Sequence, residues 1–478
     1  MSSVPDEIFF AGISEINQRL QKKEFSAREL ARAFCDRLET IGPRYNALAL
    51  SLRKDVLRDA KDVDGDIKRE RLRGPLQGIP FGAKDLLAYA KYPTTWGAKP
   101  YEDQIFKYTA SVLHRIQKHG GLLTGKLAMV ELAGGPSYRF ASASLTGPGL
   151  NPWDATRWSG GSSSGSAIAV AAGLVTYALG SETSGSILTP SAFCGVTGLR
   201  PTYGLVSRHG AMALSWTLDK IGPICRSAED CGLVLEAIAG GDADDPSSAR
   251  KSFYYTPQYA RDLKDVTVGY APVDFSEGVD PAARADYAKA LETIRALGVQ
   301  LTEAKMPQFP YGPVISTIIS SEGSAIFEPL IKSGKVDQLA DQHQIAGLRA
   351  GLEIAAKDYL KAMRIRALIQ EAFRDLLSTT DVLIAPTRFT PAPKITQPLD
   401  QPLTDRPAPA TPGLTALIPA GNLCGLPALS LPCGFANGMP MGLQLVGSPF
   451  SENLLLAIGK TFQDRTDWHK RHPPVAAA

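Results

Sequence analysis

Two serine-rich clusters hold the residue types best suited to chemistry in this chain of 478 residues. The first, Ser159 to Ser166, reads Ser-Gly-Gly-Ser-Ser-Ser-Gly-Ser and runs directly into an Ala-rich stretch. The second, Gly180-Ser181-Glu182-Thr183-Ser184-Gly185-Ser186, follows that stretch and precedes Pro190 and Gly195. Glycine lets backbone come close to a ligand, and a serine hydroxyl can donate, accept or attack. Taken alone, a Ser/Gly tract reads as a flexible loop, but flexible linkers are rarely followed at once by a buried-looking helix.

Two other chemistries can be tested against nearby residues. Gly161 to Gly165 satisfies G-x-S-x-G around Ser163, the nucleophile elbow of an α/β-hydrolase, which also needs a late histidine. His469 and His472 lie in a polar tail past the last expected helix, a poor place to hold a triad histidine. Gly120 to Leu127 follows the phosphate-loop pattern up to Gly125-Lys126 and then sets Leu127 where a Ser or Thr must hold magnesium, which disfavours nucleotide hydrolysis.

The elements that must position these clusters alternate in type. Ile13 to Leu38 carries apolar residues at helical spacing, with Ser26 placed to cap a second helix from Ala27, so two N-terminal helices are expected. Apolar runs flanked by Gly and Pro at Ile79 to Ala83 and Leu122 to Thr124 read as strands, separated by a helix near Val112 to His119. The apolar run Ala167 to Gly180 is too short to cross a bilayer and reads as a buried helix. Near the end, Ala428 to Pro432 and Met441 to Val446 form an expected hairpin around Ala436-Asn437-Gly438, and Glu452 to Gln463 an expected closing helix. Such alternation argues for an α/β layered fold.

Apolar residues at 44% and charged residues at 21% suit a soluble globular chain with a sizeable core. Nothing forces a division into independent units, so 1–478 reads as one domain, with helices of 1–65 packed on it and a Pro-rich loop at 390–413. The net charge of +3 is too small and dispersed for a nucleic-acid or membrane partner, which leaves a small molecule. Six cysteines without a C-x-x-C pair are expected as free buried thiols, and the absence of a signal-like N-terminus points to the cytoplasm.

Three separated pieces together resemble the amidase signature family: Gly160-Gly161-Ser162-Ser163, then Gly185-Ser186 beyond the Ala-rich stretch, and upstream Gly78-Ile79-Pro80-Phe81-Gly82-Ala83-Lys84-Asp85. The likeness continues in family order through Asn151-Pro152-Trp153-Asp154, Phe193-Cys194-Gly195, Gly198 to Thr202, Ser215 to Pro223, Asp381 to Thr387 and Gly425 to Gly447. The resemblance implies a three-layer α/β/α sandwich around a large mixed β-sheet, a Ser-Ser-Lys catalytic set, and no metal or organic cofactor. It makes Ser186 the nucleophile, Ser162 the proton relay with a cis peptide bond to Gly161, and Lys84 the base. Apolar flanks around Lys84 would desolvate an ammonium and lower its pKa, although a lysine beside Asp85 reads alternatively as a surface ion pair. Ser163 and Asp85 are expected in supporting roles, Ser163 reading also as a helix cap. The backbone of Thr183, Ser184, Gly185 and Ser186 is implied as the oxyanion loop, with Gly135 at the substrate.

The chain departs from the family pattern at Ser164, Glu182, Ser184 and Leu188. Ser184 is tolerable only where the backbone avoids positive φ. Leu188, where Arg is common, suggests a less polar pocket and a substrate not recognised through a carboxylate. Residues around Met129 to Tyr138, His209 to Met212 and Ile315 to Phe327 are expected to line that pocket. The expected activity is hydrolysis of small to medium amides, or of carbamates, ureas or esters. The alternatives are a glutaminase subunit of a tRNA amidotransferase and a non-catalytic binding protein on the same scaffold. Soluble members of the family often pair, so a homodimer is compatible with the resemblance.

Overall fold

The apolar run ending at Lys84 forms a strand whose five residues are all buried, Pro80–Lys84. Equally buried strands, Leu122–Leu127 and Tyr177–Glu182, lie on its two sides in parallel, a pattern that requires cover on both faces. This computed structural model describes residues 4–135, 138–259, 261–399 and 413–475. Most of the expected Pro-rich loop, 400–412, lies outside the described residues.

In chain order the first strands are β1 (Leu48–Ser51), β2 (Pro80–Lys84), β3 (Leu122–Leu127), β4 (Leu150–Asn151), β5 (Asp154–Trp158), β6 (Tyr177–Glu182) and β7 (Thr197–Arg200). The remainder are β8 (Lys220–Cys225), β9 (Thr267–Tyr270), β10 (Gln300–Glu303), β11 (Val382–Pro386), β12 (Ala428–Ala436) and β13 (Met439–Gly447). Eleven of them form one sheet in the order β1-β3-β2-β6-β8-β7-β12-β13-β11-β9-β10, and β4 and β5 pair separately. Strand β2 is parallel to β3 and β6, and β9 to β10 and β11, whereas β6 and β8, β7 and β12, and β12 and β13 are antiparallel. The sheet is therefore mixed, and with helices on its faces the chain is a three-layer α/β/α sandwich.

Local signals explain several boundaries. Ser26 caps the helix Ala27–Thr40 through a reciprocal pair with Glu29, in which the Glu29 N–H donates to Ser26 Oγ at 3.1 Å and the Ser26 N–H donates to Glu29 Oε2 at 2.8 Å. Strands β12 and β13 turn through Asn437 (φ +51°) and Gly438 (φ +77°), the conformation that two-residue hairpins favour. The closing helix is Glu452–Asp464.

The stretch expected as one buried helix is instead two elements. The helix Ser164–Ala171 stops early, Gly173 turns the chain at φ +64°, and Tyr177–Glu182 is β6. A Cβ on Gly173 would sit 2.8 Å from the Phe9 carbonyl oxygen, so only glycine fits that reversal. All six cysteines are free, five of them buried and Cys424 half-buried. Among the described residues no helix is long and apolar enough to cross a membrane.

Candidate active site

Lys84 is the last residue of β2, and its side chain is fully buried among hydroxyls. Its Nζ donates to Ser162 Oγ at 2.7 Å, Ser163 Oγ at 3.0 Å and Ser181 Oγ at 3.0 Å. Ser181 comes from the parallel neighbour β6, and the two other serines from the loop that opens the helix Ser164–Ala171. The peptide bond Gly161–Ser162 is cis. Ser163 makes no helix-capping bond with its side chain; its hydroxyl donates to the Ser181 carbonyl at 3.1 Å and accepts the Ser181 N–H at 3.2 Å. This close approach needs Gly180, where a Cβ would come within 2.9 Å of Ser163 Oγ.

Burial pushes the Lys84 ammonium down to about 7, opposed only in part by the negative charges of Asp219 and Glu182. Ser186 is nearly buried and joins the group through its backbone, its carbonyl accepting the Ser163 N–H at 3.4 Å. Among the described residues the Ser186 hydroxyl makes no hydrogen bond. The hydroxyl of Ser162 is thus joined to Lys84, and among the described residues no hydrogen bond joins it to the hydroxyl of Ser186.

The loop before Ser186 is held from behind. Glu182, fully buried, accepts the N–H groups of Ile187 at 2.9 Å and Leu188 at 3.0 Å, together with Arg200 Nη1 and Asn422 Nδ2, each at 2.8 Å. Burial opposes its charge, but Arg200, Lys220 and Asn422 together outweigh that and bring the carboxyl to about 2. Thr183 Oγ1 donates to Asp219 Oδ1 at 2.6 Å. Gly185 takes φ +88°, whereas Ser184 is not among the positive-φ residues, so the serine there carries no left-handed strain. Among the described residues no acceptor takes the N–H of Ser184, Gly185 or Ser186.

Other expected positions turn out differently. Asp85 does not face Lys84: it forms a buried ion pair with Lys126 Nζ at 2.7 Å and accepts from Thr95. The Gly135 N–H is taken by the Leu132 carbonyl at 3.2 Å, so it is not an open donor. Leu188 packs in an apolar cluster with Leu218 and Ile418. Lys126, the lysine of the phosphate-loop-like stretch, lies in β3, and His472 stacks on Phe10.

A cavity of about 200 Å³ opens beside Ser181 and Thr183, walled by Leu86, Ala133, Met212, Leu214 and Trp216 among others. Of the expected lining stretches, Ala133, His209, Ala211 and Met212 do line it, whereas Ser321, Glu322 and Ala325 line a second cavity that shares Trp216. Sequence reasoning missed Ser181, Asp219 and the structural load on Glu182. Their signal was faint, since each sits at a strand end whose facing depends on β6 and β8 being neighbours.

Comparison with known proteins places this geometry. A family model described as Amidase matches residues 29–456. One of the subunits of the glutamyl-tRNA(Gln) amidotransferase of Carboxydothermus hydrogenoformans is 35% identical, covering 98% of this chain and all of that protein. The native peptide amidase of Stenotrophomonas maltophilia superposes with a TM-score of 0.83 at 28% identity, over 97% of this chain and 98% of that one. A chain of a vestigial protein complex, described as revealing the origins of an s-triazine catabolic enzyme, gives 0.86 at 28% identity over 95% and 98%. The chain belongs to the amidase signature family. It is accordingly an amidase, a hydrolase acting on carbon–nitrogen bonds.

Proposed function

We propose that this chain is a serine amidohydrolase cleaving small to medium amides, with carbamates, ureas or esters of similar size as related substrates, through an acyl-enzyme on Ser186. One observation carries the reading: an amine 2.7 Å from Ser162 Oγ, fully buried, with no carboxylate bonded to it among the described residues. With its pKa near 7, Lys84 is neutral often enough at physiological pH to take a proton.

In this mechanism Ser186 Oγ attacks the amide carbon while its proton passes to Ser162 and the Ser162 proton to Lys84. The new oxyanion is met by the unbonded N–H groups of the 184–186 loop, each such donor being worth about a hundredfold to a thousandfold in rate. The Lys84 proton then returns through Ser162 to the leaving nitrogen, and the C–N bond breaks. Water attacks the acyl ester and loses its proton through Ser162 to Lys84; as the ester C–O bond breaks, that proton returns through Ser162 to Ser186 Oγ. Ser186→Ala is expected to abolish both turnover and labelling by a fluorophosphonate probe, read by intact mass; a variant that still turns over eliminates the assignment.

A second reading, a glutaminase subunit that hands ammonia to a partner chain, is favoured by the full-length similarity to one chain of an amidotransferase. Steady hydrolysis of simple amides by the lone chain supports the first reading. Hydrolysis of glutamine alone, seen only with partner subunits, supports the second.

A further inference from the structure

We infer that Arg388 is a specificity-determining residue that binds a carboxylate on the substrate, so that the amides this chain hydrolyses best carry an anionic group. The inference deepens the proposed function and rests on Ser186 being the nucleophile.

Arg388 stands two residues past the end of β11 and lines a cavity of about 370 Å³ together with Ser184, Thr189, Thr415 and Ile418. Ser184 belongs to the loop with unbonded N–H groups, so this cavity adjoins the loop of the proposed reaction centre. Other arginines, held beneath the surface, are bonded to fixed acceptors: Arg200 to Glu182, Arg37 to the carbonyls of Ala172 and Gly173, Arg366 to those of Leu423 and Thr217. Arg388 is exposed, and its side chain makes no ion pair and no hydrogen bond among the described residues. Its characterised neighbours are the face of Phe193, 5.9 Å from the guanidinium carbon, and the Tyr138 phenol, which burial keeps neutral by raising its pKa to about 12.

A guanidinium is charged at any physiological pH, and its five donors in a planar fork match the two oxygens of a carboxylate. Arg388 is open to a ligand yet crowded enough that loss of solvent lowers its pKa, so an acceptor arriving in the cavity meets a cation that water screens incompletely. Phe193 backs the guanidinium, and Thr189 and Thr415 stand on the same wall. The arrangement therefore suits an anion presented from within the cavity, a few bonds from an amide carbonyl held at the 184–186 loop. It also revises the expectation, drawn from Leu188, of a substrate not recognised through a carboxylate.

The test uses the full chain and the rate at which a fluorophosphonate labels Ser186, measured by intact mass with and without succinate, glutarate or adipate at constant ionic strength. Neutral glutaramide serves as the control. In the parent protein at least one dicarboxylate slows labelling, by about tenfold at ten times its dissociation constant, and glutaramide does not. In Arg388→Gln the ratio of the two rates within the variant falls to near one, and Arg388→Lys, which keeps a point charge without the fork, retains part of it. For hydrolysis, the preference in kcat/KM for glutaryl 4-nitroanilide over pentanoyl 4-nitroanilide falls in Arg388→Gln by about tenfold to a hundredfold. Labelling that no dicarboxylate slows up to about 50 mM, or equal protection in Arg388→Gln, overturns the inference and leaves the nucleophile standing. No labelling of the parent protein overturns the nucleophile, and the inference with it.

Discussion

Lys84 and Lys126 end up on neighbouring strands of one sheet, both with side chains fully hidden from solvent, yet only one of them is equipped to take a proton. Lys126 holds Asp85 at 2.7 Å and Thr94 Oγ1 at 2.9 Å. Lys84 holds three hydroxyls and no carboxylate. Burial lowers the pKa of both, but bonded Asp85 pulls Lys126 back toward its charged form, while Asp219 and Glu182 act on Lys84 without bonding to it. In the proposed mechanism, then, the two lysines differ in their bonded partners and not in burial. The partners are sorted by strand alternation, which continues past β2 because the Asp85 N–H bonds the Leu127 carbonyl at 2.9 Å. Successive side chains point to opposite faces, so the amine of residue 84 enters the serine cluster and the carboxylate of residue 85 turns to Lys126.

Removing each amine in turn gives the largest separation. Lys84→Met is expected to lower kcat by about a hundredfold to ten-thousandfold, the usual worth of a general base, with no loss of thermal stability, because no carboxylate is left unpaired. Lys126→Met strands Asp85 inside the protein and is expected to cost about 3 to 5 kcal/mol of stability in a denaturant melt, while molecules still folded keep most of their specific activity. A Lys126 variant that is stable but inactive, or a Lys84 variant that unfolds but keeps its rate, breaks the distinction between the two lysines.

Giving Lys84 a carboxylate should convert it toward the Lys126 type. In the parent protein kcat/KM is expected to climb from about pH 6 and level off above about pH 8, because neutral Lys84 with its pKa near 7 is the active form. A flat profile from about pH 6 to 10 counts against Lys84 as base. Ser181→Asp places a negative charge on the cavity wall beside the amine, which favours the ammonium and moves the rising limb to higher pH by about 1 to 2 units. At pH 7 the rate then drops by about fivefold to fiftyfold and recovers on the alkaline side, a recovery that simple misfolding would not give.

Much of the candidate site was legible because its parts are glycine-marked and local. Gly160 to Ser163 and Gly185-Ser186 carry their own backbone requirements, and the apolar run before Lys84 announces a buried strand. What was not legible depends on which strands become neighbours. The pairing of Lys84 with Ser181 requires β6 beside β2, and the pairing of Asp85 with Lys126 requires β3 on the other side; sequence adjacency suggested instead that residues 84 and 85 would pair with each other. The run Ala167 to Gly180 misled for a related reason, since apolar composition cannot tell a buried helix from a buried strand and only the left-handed turn at Gly173 divides them. Arg388 lies one residue past the family-like segment Asp381 to Thr387, and its significance lies in having no side-chain partner among the described residues, which only the packed structure can display.

The smallest effects come from trimming one hydroxyl from each lysine, and they sharpen the comparison by their kind more than by their size. Ser181→Ala removes one of the three acceptors that stabilise the Lys84 ammonium. The charged form loses more than the neutral form, so the rising limb is expected to shift to lower pH by about half a unit to one unit, with the plateau rate nearly unchanged. Thr94→Ala removes a comparable bond from Lys126. There the amine stays bonded to Asp85 and lies outside the proposed proton relay, so the expected result is a loss of about 1 kcal/mol in stability with the pH profile left where it was. The two substitutions delete the same functional group from equally buried amines, and a shifted profile in the first with an unshifted profile in the second follows only if titration of Lys84, and not of Lys126, controls the rate.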